Sequence, residues 1–470
     1  MAEIADLTSS DLARLYRSRA LSPVEVAKDV IARIEAAAGV NAFMPLQPET
    51  TLAAARESEA RWSKSEPLGD ADGVPATIKD NIWAKGWPTR RGSRTTGHAP
   101  EADDAPVTAR LREQGAVIVG KTTLPEHGWI GVCHSPLTGI TRNPWNLART
   151  PGGSTGGGAV AALMSLGRLH LGTDGAGSLR IPAAFTGVIG FKPTVGTVPV
   201  YPASPLGELS HHGPVAATVG EVAQLLSIIA RPDKRDMRAI NADSRADDRR
   251  SNDHEAGVSG VRIAFAPRFG DHGLDPEIER LCRTAVQALE TQGAIVDEKI
   301  PPVELAQQII RPLWWSAARH IVDAVPIRLQ DQIDAGFRRT AEAGRQFSAA
   351  AYIAARIACS DLYQAMLGFH RRYDLLVSPT MPLTAFAAGH EFPPGGDYSD
   401  DWLDWSPYTY PFNLTGQPAV SVPVSLTEGG LPAGLQIVGL RGADRLVLRA
   451  ARAIEAALPM PQWRKAGISI

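Results

Sequence analysis

The spacing of apolar and polar residues predicts helices at the start of the chain. From Ser22 the chain reads Ser-Pro-x-Glu, in which Pro23 directly follows the serine and Glu25 lies three positions after it. This is a capping box with proline at the first helical position, and an apolar stripe at helical spacing follows it. A second capping box is predicted from Thr8 to Asp11. Both helices are expected to pack on the core through their apolar faces.

Further along, long helical patterns alternate with short apolar runs. Alanine-rich stretches predict helices at about 275–292 and 348–370, and a final helix is predicted at 445–458. Near-continuous apolar runs predict strands buried on both faces at 261–265, 375–378, 419–424 and 434–439. This alternation predicts an α/β fold, with a sheet that is covered by helices on both sides.

Two glycine-rich segments suggest chemistry. Residues 150–158 read TPGGSTGGG and residues 172–180 read GTDGAGSLR, which places Ser154 and Ser178 in loops where main-chain N–H groups can approach a ligand. Such clusters are often linkers, but the helix-forming run AVAALM begins where the first one ends. A phosphate-binding loop is disfavoured because no Gly-Lys-Ser/Thr follows. The match of residues 152–156 to the nucleophile elbow lacks a preceding buried strand, since two prolines precede it.

A third segment, GVPATIKDN at residues 73–81, precedes the two loops. In this order and spacing, the three segments resemble the signature of the amidase signature family of serine hydrolases. The resemblance is strongest over about 70–220 and weaker towards the C-terminus. It implies an α/β fold with a mixed, twisted sheet of many strands and helices on both faces.

The resemblance also implies one large domain over residues 1–470, although length alone would suggest two or three. N-terminal helices take up about 1–65, followed by the signature core at 70–220. The charged stretch at 231–257 is predicted to be a solvated surface connection. Helical cover and C-terminal strands follow at 258–470.

The family pattern implies catalytic roles for three residues: Ser178 as the nucleophile, Ser154 as the bridging serine and Lys79 as the base. A serine hydroxyl needs a proton acceptor, and a lysine can accept only when it is neutral. Burial without a carboxylate partner would lower the pKa of Lys79 far enough. The resemblance further implies a cis peptide bond between Gly153 and Ser154, and an acyl-enzyme intermediate.

Backbone N–H groups of the second loop are implied to bind the tetrahedral oxyanion. These are the N–H groups of Gly175, Ala176, Gly177 and Ser178. Glycine is commoner in the family at the position of Ala176, so the loop there must adopt a conformation that suits an L-residue.

Three neighbouring residues are expected to support the site. Thr155 either supports the proton relay or caps the helix that begins near Gly157. Asp174 and Arg180 bracket the nucleophile and are given a structural role, because a carboxylate beside Lys79 would raise its pKa.

The substrate pocket is less defined by sequence. Trp314, Trp315 and Phe337 are candidates for shaping an acyl or amine pocket, although such aromatics more often belong to the core. Cys133 is adjacent to His134, but neighbouring side chains of an extended segment point to opposite faces, so we assign Cys133 only to the pocket lining.

Composition narrows the class of partner. The 470 residues carry a net charge of −2 with both signs interspersed, which predicts no binding to nucleic acid or to an anionic membrane. No run of 18 apolar residues and no secretory signal occurs. Three scattered cysteines suit a reducing cytoplasm, and no metal-binding motif is present. We expect a cytoplasmic monomer or homodimer without metal or organic cofactor, whose partners are a small amide substrate and water.

The resulting prediction is an amidase for a small, uncharged or aryl amide, able to cleave related carbamates or esters. One alternative is the glutamine amidotransferase A-type subunit, which works with a partner on charged transfer RNA. That subunit resembles a form with Gln-Pro after the arginine, whereas Ile181 and Pro182 follow Arg180 here. The alternative from another class is an inactive hydrolase scaffold that binds ligands, which the presence of all three catalytic residue types disfavours.

Overall fold

A ten-stranded mixed sheet runs through the molecule. The computed structural model describes residues 3–238, 257–270, 273–395, 398 and 401–461. The strands are Pro75–Lys79 (β1), Val117–Thr122 (β2), His134–Ser135 (β3), Gly139–Ile140 (β4), Leu169–Asp174 (β5), Ile189–Lys192 (β6), His211–Ala216 (β7), Arg262–Phe265 (β8), Ile295–Glu298 (β9), Leu375–Pro379 (β10), Ala419–Leu426 (β11) and Pro432–Gly439 (β12). The order in the sheet is β2-β1-β5-β7-β6-β11-β12-β10-β8-β9, and the short hairpin of β3 and β4 is separate from it.

Helices pack around the sheet. They are Ser9–Arg17 (α1), Pro23–Ala36 (α2), Pro48–Ser63 (α3), Pro106–Glu113 (α4), Gly156–Leu163 (α5), Arg180–Thr186 (α6), Val219–Ile229 (α7), Pro276–Thr291 (α8), Ala306–Asp323 (α9), Ala335–Ala343 (α10), Ala349–His370 (α11), Pro411–Leu414 (α12) and Asp444–Ala457 (α13). No helix in the described ranges is both long and apolar enough to cross a bilayer.

The sheet is buried on both faces, as the apolar runs predicted. Leu375 and Val377 of β10 pack into one hydrophobic core, and Leu376 between them packs into another. Successive side chains of a strand point to opposite faces, so each face of the sheet has a core of its own. The predicted α/β fold, a single large domain with a mixed sheet between helices, is confirmed.

Local sequence signals located the elements closely. Both capping boxes are present, at Thr8 with Asp11 and at Ser22 with Glu25. The three predicted helices in the second half correspond to α8, α11 and α13, and the four predicted strands to β8, β10, β11 and β12. Most of the predicted surface connection at 231–257 lies outside the described residues.

The topology brings the signature segments to one edge of the sheet. Strand β1 pairs in parallel with β5, with Ile78 opposite Leu171, so their carboxyl ends lie side by side. Lys79 ends β1 and Asp174 ends β5. Helix α5 begins at Gly156, within the first glycine-rich segment, and helix α6 begins at Arg180, at the end of the second.

Close packing beside β5 predicts a steric effect on stability. Gly213 of β7 faces Gly172 of β5, and a Cβ on Gly213 would overlap the carbonyl oxygen of Phe191 and lie 2.7 Å from Leu179 Cδ1. Overpacking of this kind should make Gly213→Ala lower the free energy of unfolding by about 1–3 kcal/mol. Denaturant unfolding measures it.

The matched control is Gly220→Ala in α7, where the nearest atom, Arg452 Nη1, would lie 3.7 Å from the new Cβ. Alanine is the better helix former by up to about 1 kcal/mol, so this variant should not be destabilised. Equal losses in the two variants would contradict the steric explanation.

Candidate active site

The amine of Lys79 lies at the centre of a cluster of hydroxyl groups. Its Nζ is 2.8 Å from Ser154 Oγ, 3.0 Å from Thr155 Oγ1 and 2.8 Å from Thr173 Oγ1. A further contact of 3.4 Å joins Nζ to the carbonyl oxygen of Thr173. The lysine is therefore held by both glycine-rich loops.

Burial determines the protonation of this lysine. Lys79 is completely buried, and within the described ranges no carboxylate forms an ion pair with it. Desolvation of the ammonium form lowers the pKa of Lys79 to about 7, and the charges of Cys133 and Asp174 oppose that shift only in part. The side chain is thus able to act as a base near neutral pH.

The loop that carries Ser154 packs closely against neighbouring segments at glycine positions. The peptide bond between Gly153 and Ser154 is cis. A Cβ on Gly153 would overlap the backbone of Val132, and one on Gly128 would lie 3.1 Å from Ser154 Oγ. The loop can therefore press against both segments only because these positions lack side chains.

Ser178 and Ser154 line one cavity, with a volume of about 360 Å³. Their loops are joined by a hydrogen bond from the Thr155 N–H to the Ser178 carbonyl oxygen at 3.1 Å. The Ser178 hydroxyl has no hydrogen-bond partner among the described residues. Its hydroxyl thus faces the cavity, beside a serine that contacts the lysine.

One of the four expected oxyanion donors already has an acceptor within the protein. The N–H of Gly177 donates to Asp174 Oδ1 at 2.7 Å. The N–H groups of Gly175, Ala176 and Ser178 make no such bond in the described part of the chain. Ala176 is not among the residues with positive φ, so its backbone suits an L-residue.

Asp174 and Arg180 form a buried ion pair beneath the Ser178 loop. Arg180 Nη2 lies 3.0 Å from Asp174 Oδ1, and both side chains are fully buried. Asp174 also accepts from the N–H of Leu179 at 3.1 Å. Burial raises the pKa of Asp174, but the Arg180 charge and its hydrogen bonds outweigh burial and lower it overall. These bonds fix the backbone on either side of Ser178.

Sequence reasoning missed the remote residues that complete this pair. Asn413 Nδ2 donates to Asp174 Oδ1 at 2.9 Å, and Arg180 donates to the Thr409 carbonyl at 2.7 Å and to Gln436 Oε1 at 2.8 Å. They lie more than 200 positions away in sequence, and no motif marked them.

The hydroxyl of Thr155 supports the lysine and does not cap the helix. It donates to the carbonyl oxygen of Thr173 at 3.0 Å while it contacts Lys79. Helix α5 has no side-chain hydrogen bond at its N-cap. Thr173, whose hydroxyl also contacts Lys79, was not predicted.

Only one of the proposed pocket residues lines the cavity of the two serines, namely Trp314. Trp315 lines a separate cavity with Arg311, whose guanidinium lies 5.6 Å from the ring centre. Phe337 is buried and stacks on His127 behind the cavity wall at 5.7 Å. The packing of helices α9 and α10 determines which aromatic faces inward, and residue type alone does not indicate this.

Cys133 was also expected in the lining, but it is not among the residues that line this cavity. The thiol is buried, with Sγ 3.4 Å from Thr141 Oγ1, and its Cβ lies against Gly156 at the start of α5. The cysteine therefore packs behind the first glycine-rich loop.

Several lining residues were not anticipated. They include Arg91, His127, Tyr201, Leu206, His212 and Val325.

Among the residues that the structure describes, no three His, Cys, Asp or Glu side chains are grouped so as to hold a metal ion.

Known proteins with similar sequences and folds are consistent with this geometry. The sequence pattern of the family described as Amidase matches residues 25–448. An acylamidase of Rhodococcus erythropolis is 34% identical over 473 residues, covering 96% of each chain. The A-type subunit of the glutamyl-tRNA(Gln) amidotransferase of Myxococcus xanthus is 34% identical over 481 residues, covering 96% of this chain and 97% of that protein. The crystal structure of a bacterial aryl acylamidase of the amidase signature enzymes superimposes with a TM-score of 0.89 at 26% identity, over 99% of each chain.

The buried ion pair predicts a large stability effect. Asp174→Asn keeps the size of the side chain but leaves the buried guanidinium of Arg180 without its counter-charge. We expect the free energy of unfolding to fall by about 3–5 kcal/mol, measured by denaturant unfolding.

The matched control is Asp374→Asn, which removes a carboxylate from the partly exposed pair of Arg262 and Asp374. An exposed pair contributes about 1 kcal/mol or less, so this loss should be much smaller. If the two variants lose the same amount, burial of the Asp174 pair is not what stabilises the loop.

Proposed function

This chain belongs to the amidase family, and from that premise we propose that it hydrolyses small amides through Ser178, Ser154 and Lys79. The protein is a hydrolase of carbon–nitrogen bonds other than peptide bonds. The observation that carries the proposed mechanism is the buried Lys79 amine, 2.8 Å from Ser154 Oγ and without a carboxylate partner in the described ranges.

In the proposed first step, Ser178 Oγ attacks the carbonyl carbon of the amide. Its proton passes to Ser154, whose own hydroxyl proton moves to the neutral amine of Lys79. The carbonyl oxygen becomes an oxyanion, which the N–H groups of Gly175, Ala176 and Ser178 stabilise. One such donor contributes about 2.7–4 kcal/mol to transition-state stabilisation.

In the second step the carbon–nitrogen bond breaks. Lys79 returns the proton through Ser154 to the leaving nitrogen, so an amine departs and the acyl group stays on Ser178 as an ester. Water then attacks the ester and passes its proton along the same route, which releases the carboxylic acid and restores the Ser178 hydroxyl. Every proton in this scheme is carried between the substrate, water and the side chains of Ser178, Ser154 and Lys79, so the scheme requires no cofactor.

The cavity favours a small substrate with an apolar portion. Its volume of about 360 Å³ lies at the lower end of ligand-binding cavities, roughly 300–1,000 Å³. Its apolar lining residues include Leu206, Trp314, Ile321 and Val325. We propose an amide with an aryl or other apolar group, and expect related esters and carbamates to react because they share the carbonyl.

Two further proposals concern the setting of the enzyme. Its three cysteines are all free, which fits a reducing compartment, and we propose that it acts in the cytoplasm. We also propose a monomer or homodimer that needs no partner chain, because Lys79 and both serines come from one chain and share its sheet edge.

A second candidate is glutamine hydrolysis in an amidotransferase, which the 34% identity to the Myxococcus xanthus protein favours. Ile181 stands where the glutamine of that subunit type was expected, and it is fully buried. Glutamine hydrolysis that exceeds anilide hydrolysis, together with a co-purifying partner, would support this candidate instead.

The protonation of Lys79 predicts the pH dependence of activity. Lys79 must be neutral to accept a proton, and burial lowers its pKa to about 7. The rate constant kcat/KM for a neutral anilide should therefore rise about tenfold per pH unit below that value and level off above it. Stopped assays between pH 5 and 9 measure this limb, and a rate that falls with pH through 7 would contradict a lysine base.

Removal of the nucleophile tests the assignment of Ser178. Ser178→Ala should lower kcat by roughly 10³-fold or more, because no other hydroxyl can form the acyl-enzyme. The variant should also fail to form a covalent adduct with a fluorophosphonate, followed by intact mass. The control is Ser227→Ala, whose hydroxyl is exposed on α7. Retained turnover in the Ser178 variant would refute the mechanism, and an inactive wild type would favour a binding scaffold.

A further inference from the structure

The charge inside the cavity differs from that of the chain as a whole. The described residues lining it include one permanently charged side chain, Arg91, and no aspartate or glutamate. The net charge of −2, from which an uncharged substrate was expected, therefore says nothing about the charge that a ligand meets.

The guanidinium of Arg91 has no partner within the described ranges. It forms no hydrogen bond and no ion pair there. The carboxylates that influence it are Glu101 and Asp80, and Asp80 is paired with Lys121 at 3.0 Å. Burial lowers the pKa of Arg91, and the charges of Glu101 and Asp80 offset that effect only in part, so the guanidinium is partly removed from water without a direct partner.

The neighbouring residue, Arg90, differs from Arg91 because its guanidinium has partners within the protein. Arg90 is buried, and its guanidinium contacts Thr96 Oγ1 at 3.2 Å and His98 Nδ1 at 2.9 Å. Its hydrogen bonds are made within the protein. Of the two arginines, Arg91 alone faces the cavity.

The backbone holds Arg91 beside the proposed catalytic residues. Its N–H donates to the carbonyl of Asp80, the residue after Lys79, at 3.0 Å, and its carbonyl accepts from the His127 N–H at 2.7 Å. The next residue, Gly128, abuts Ser154. Arg91 has a φ of 52°, a left-handed conformation that is uncommon outside glycine. Two hydrogen bonds thus fix an unusual backbone that presents this side chain to the cavity.

The lining contains polar as well as apolar side chains. Asn81, Thr95 and Thr96 are polar lining residues close to Arg91 in sequence, whereas Leu206 and Trp314 are apolar and both lie against Gly175. A substrate that matches this lining carries a negatively charged acceptor for Arg91 and an apolar group.

We propose that Arg91 binds a carboxylate group of the substrate, so that the enzyme prefers amides that carry a carboxylate on their acyl or amine part. This rests on the proposed function of the cavity and replaces the expectation of an uncharged substrate. A planar guanidinium binds a carboxylate through two parallel hydrogen bonds, and the exchange restores the solvation that burial removed. Arg91 would position the substrate and take no part in bond making.

The test compares kcat/KM within two substrate pairs. The first pair is 4-acetamidobenzoate and 4-nitroacetanilide, where a neutral nitro group replaces a carboxylate of similar shape on the amine part. The second is N-phenylsuccinamic acid and N-phenylpentanamide, where the carboxylate lies on the acyl part. Differences in intrinsic reactivity cancel when the ratio for a variant is divided by that for the wild type.

Arg91→Ala and Arg91→Gln should lower the charged-to-neutral ratio about tenfold or more in at least one pair, since a hydrogen bond to a charged group is lost. Arg91→Lys should retain an intermediate ratio because it keeps the charge but not the planar fork. Arg94→Ala is the matched control, an exposed arginine three positions away that does not line the cavity. Its ratios should equal those of the wild type.

The proposal is overturned if both ratios in Arg91→Ala and Arg91→Gln stay within about threefold of the wild type, or if the wild type turns over neither carboxylate. Hydrolysis of the neutral members by the wild type separates this outcome from failure of the proposed function, in which no amide is cleaved. Should the variants not fold, competitive inhibition of the wild type decides. Benzoate should then inhibit about tenfold more strongly than benzamide, and equal inhibition would refute the proposal.

Discussion

The buried amine of Lys79 is the constraint around which the site is arranged. A lysine taken out of water without a carboxylate loses the stability of its charged form, and hydroxyl groups must then satisfy its nitrogen. Here these hydroxyls belong to Ser154, Thr155 and Thr173, which come from two different loops. Both loops must therefore approach the end of β1 closely. The absence of side chains at Gly153 and Gly172 allows that approach.

The same constraint explains where the negative charge of the site goes. Asp174 ends the strand next to Lys79, and an unpaired carboxylate there would restore the lysine to its charged form. Asp174 is paired with Arg180 and not with Lys79, because Arg180 forms the buried ion pair with it beneath the Ser178 loop. One charge pair thus serves two purposes. It holds the backbone around the proposed nucleophile, and it leaves the lysine with only weak stabilisation of its ammonium form.

Two arginines near the site differ in whether the protein satisfies their charge. Arg180 is fully enclosed and satisfied by Asp174, Asn413 and Gln436, whereas Arg91 is partly enclosed and has no protein partner in the described ranges. A buried charge that the protein does not satisfy is available to a ligand. In the proposed reaction, hydroxyl groups and backbone N–H groups therefore act on the carbonyl of the substrate, and the charge of Arg91 recognises another part of it.

The sequence by itself determined the elements and the three residues proposed to react. Capping boxes and apolar runs are local signals, so the start of α2, both ends of α8 and the ends of β8, β10, β11 and β12 were predicted within a few residues of those observed. The glycine-rich loops and the lysine segment are continuous motifs, so Lys79, Ser154 and Ser178 could be identified together. Only the tertiary structure decided which side chains line the cavity: Arg91 and Trp314 do, whereas Trp315 and Phe337 do not. Those outcomes depend on how segments far apart in the chain pack against one another, and residue type and local spacing do not encode such contacts.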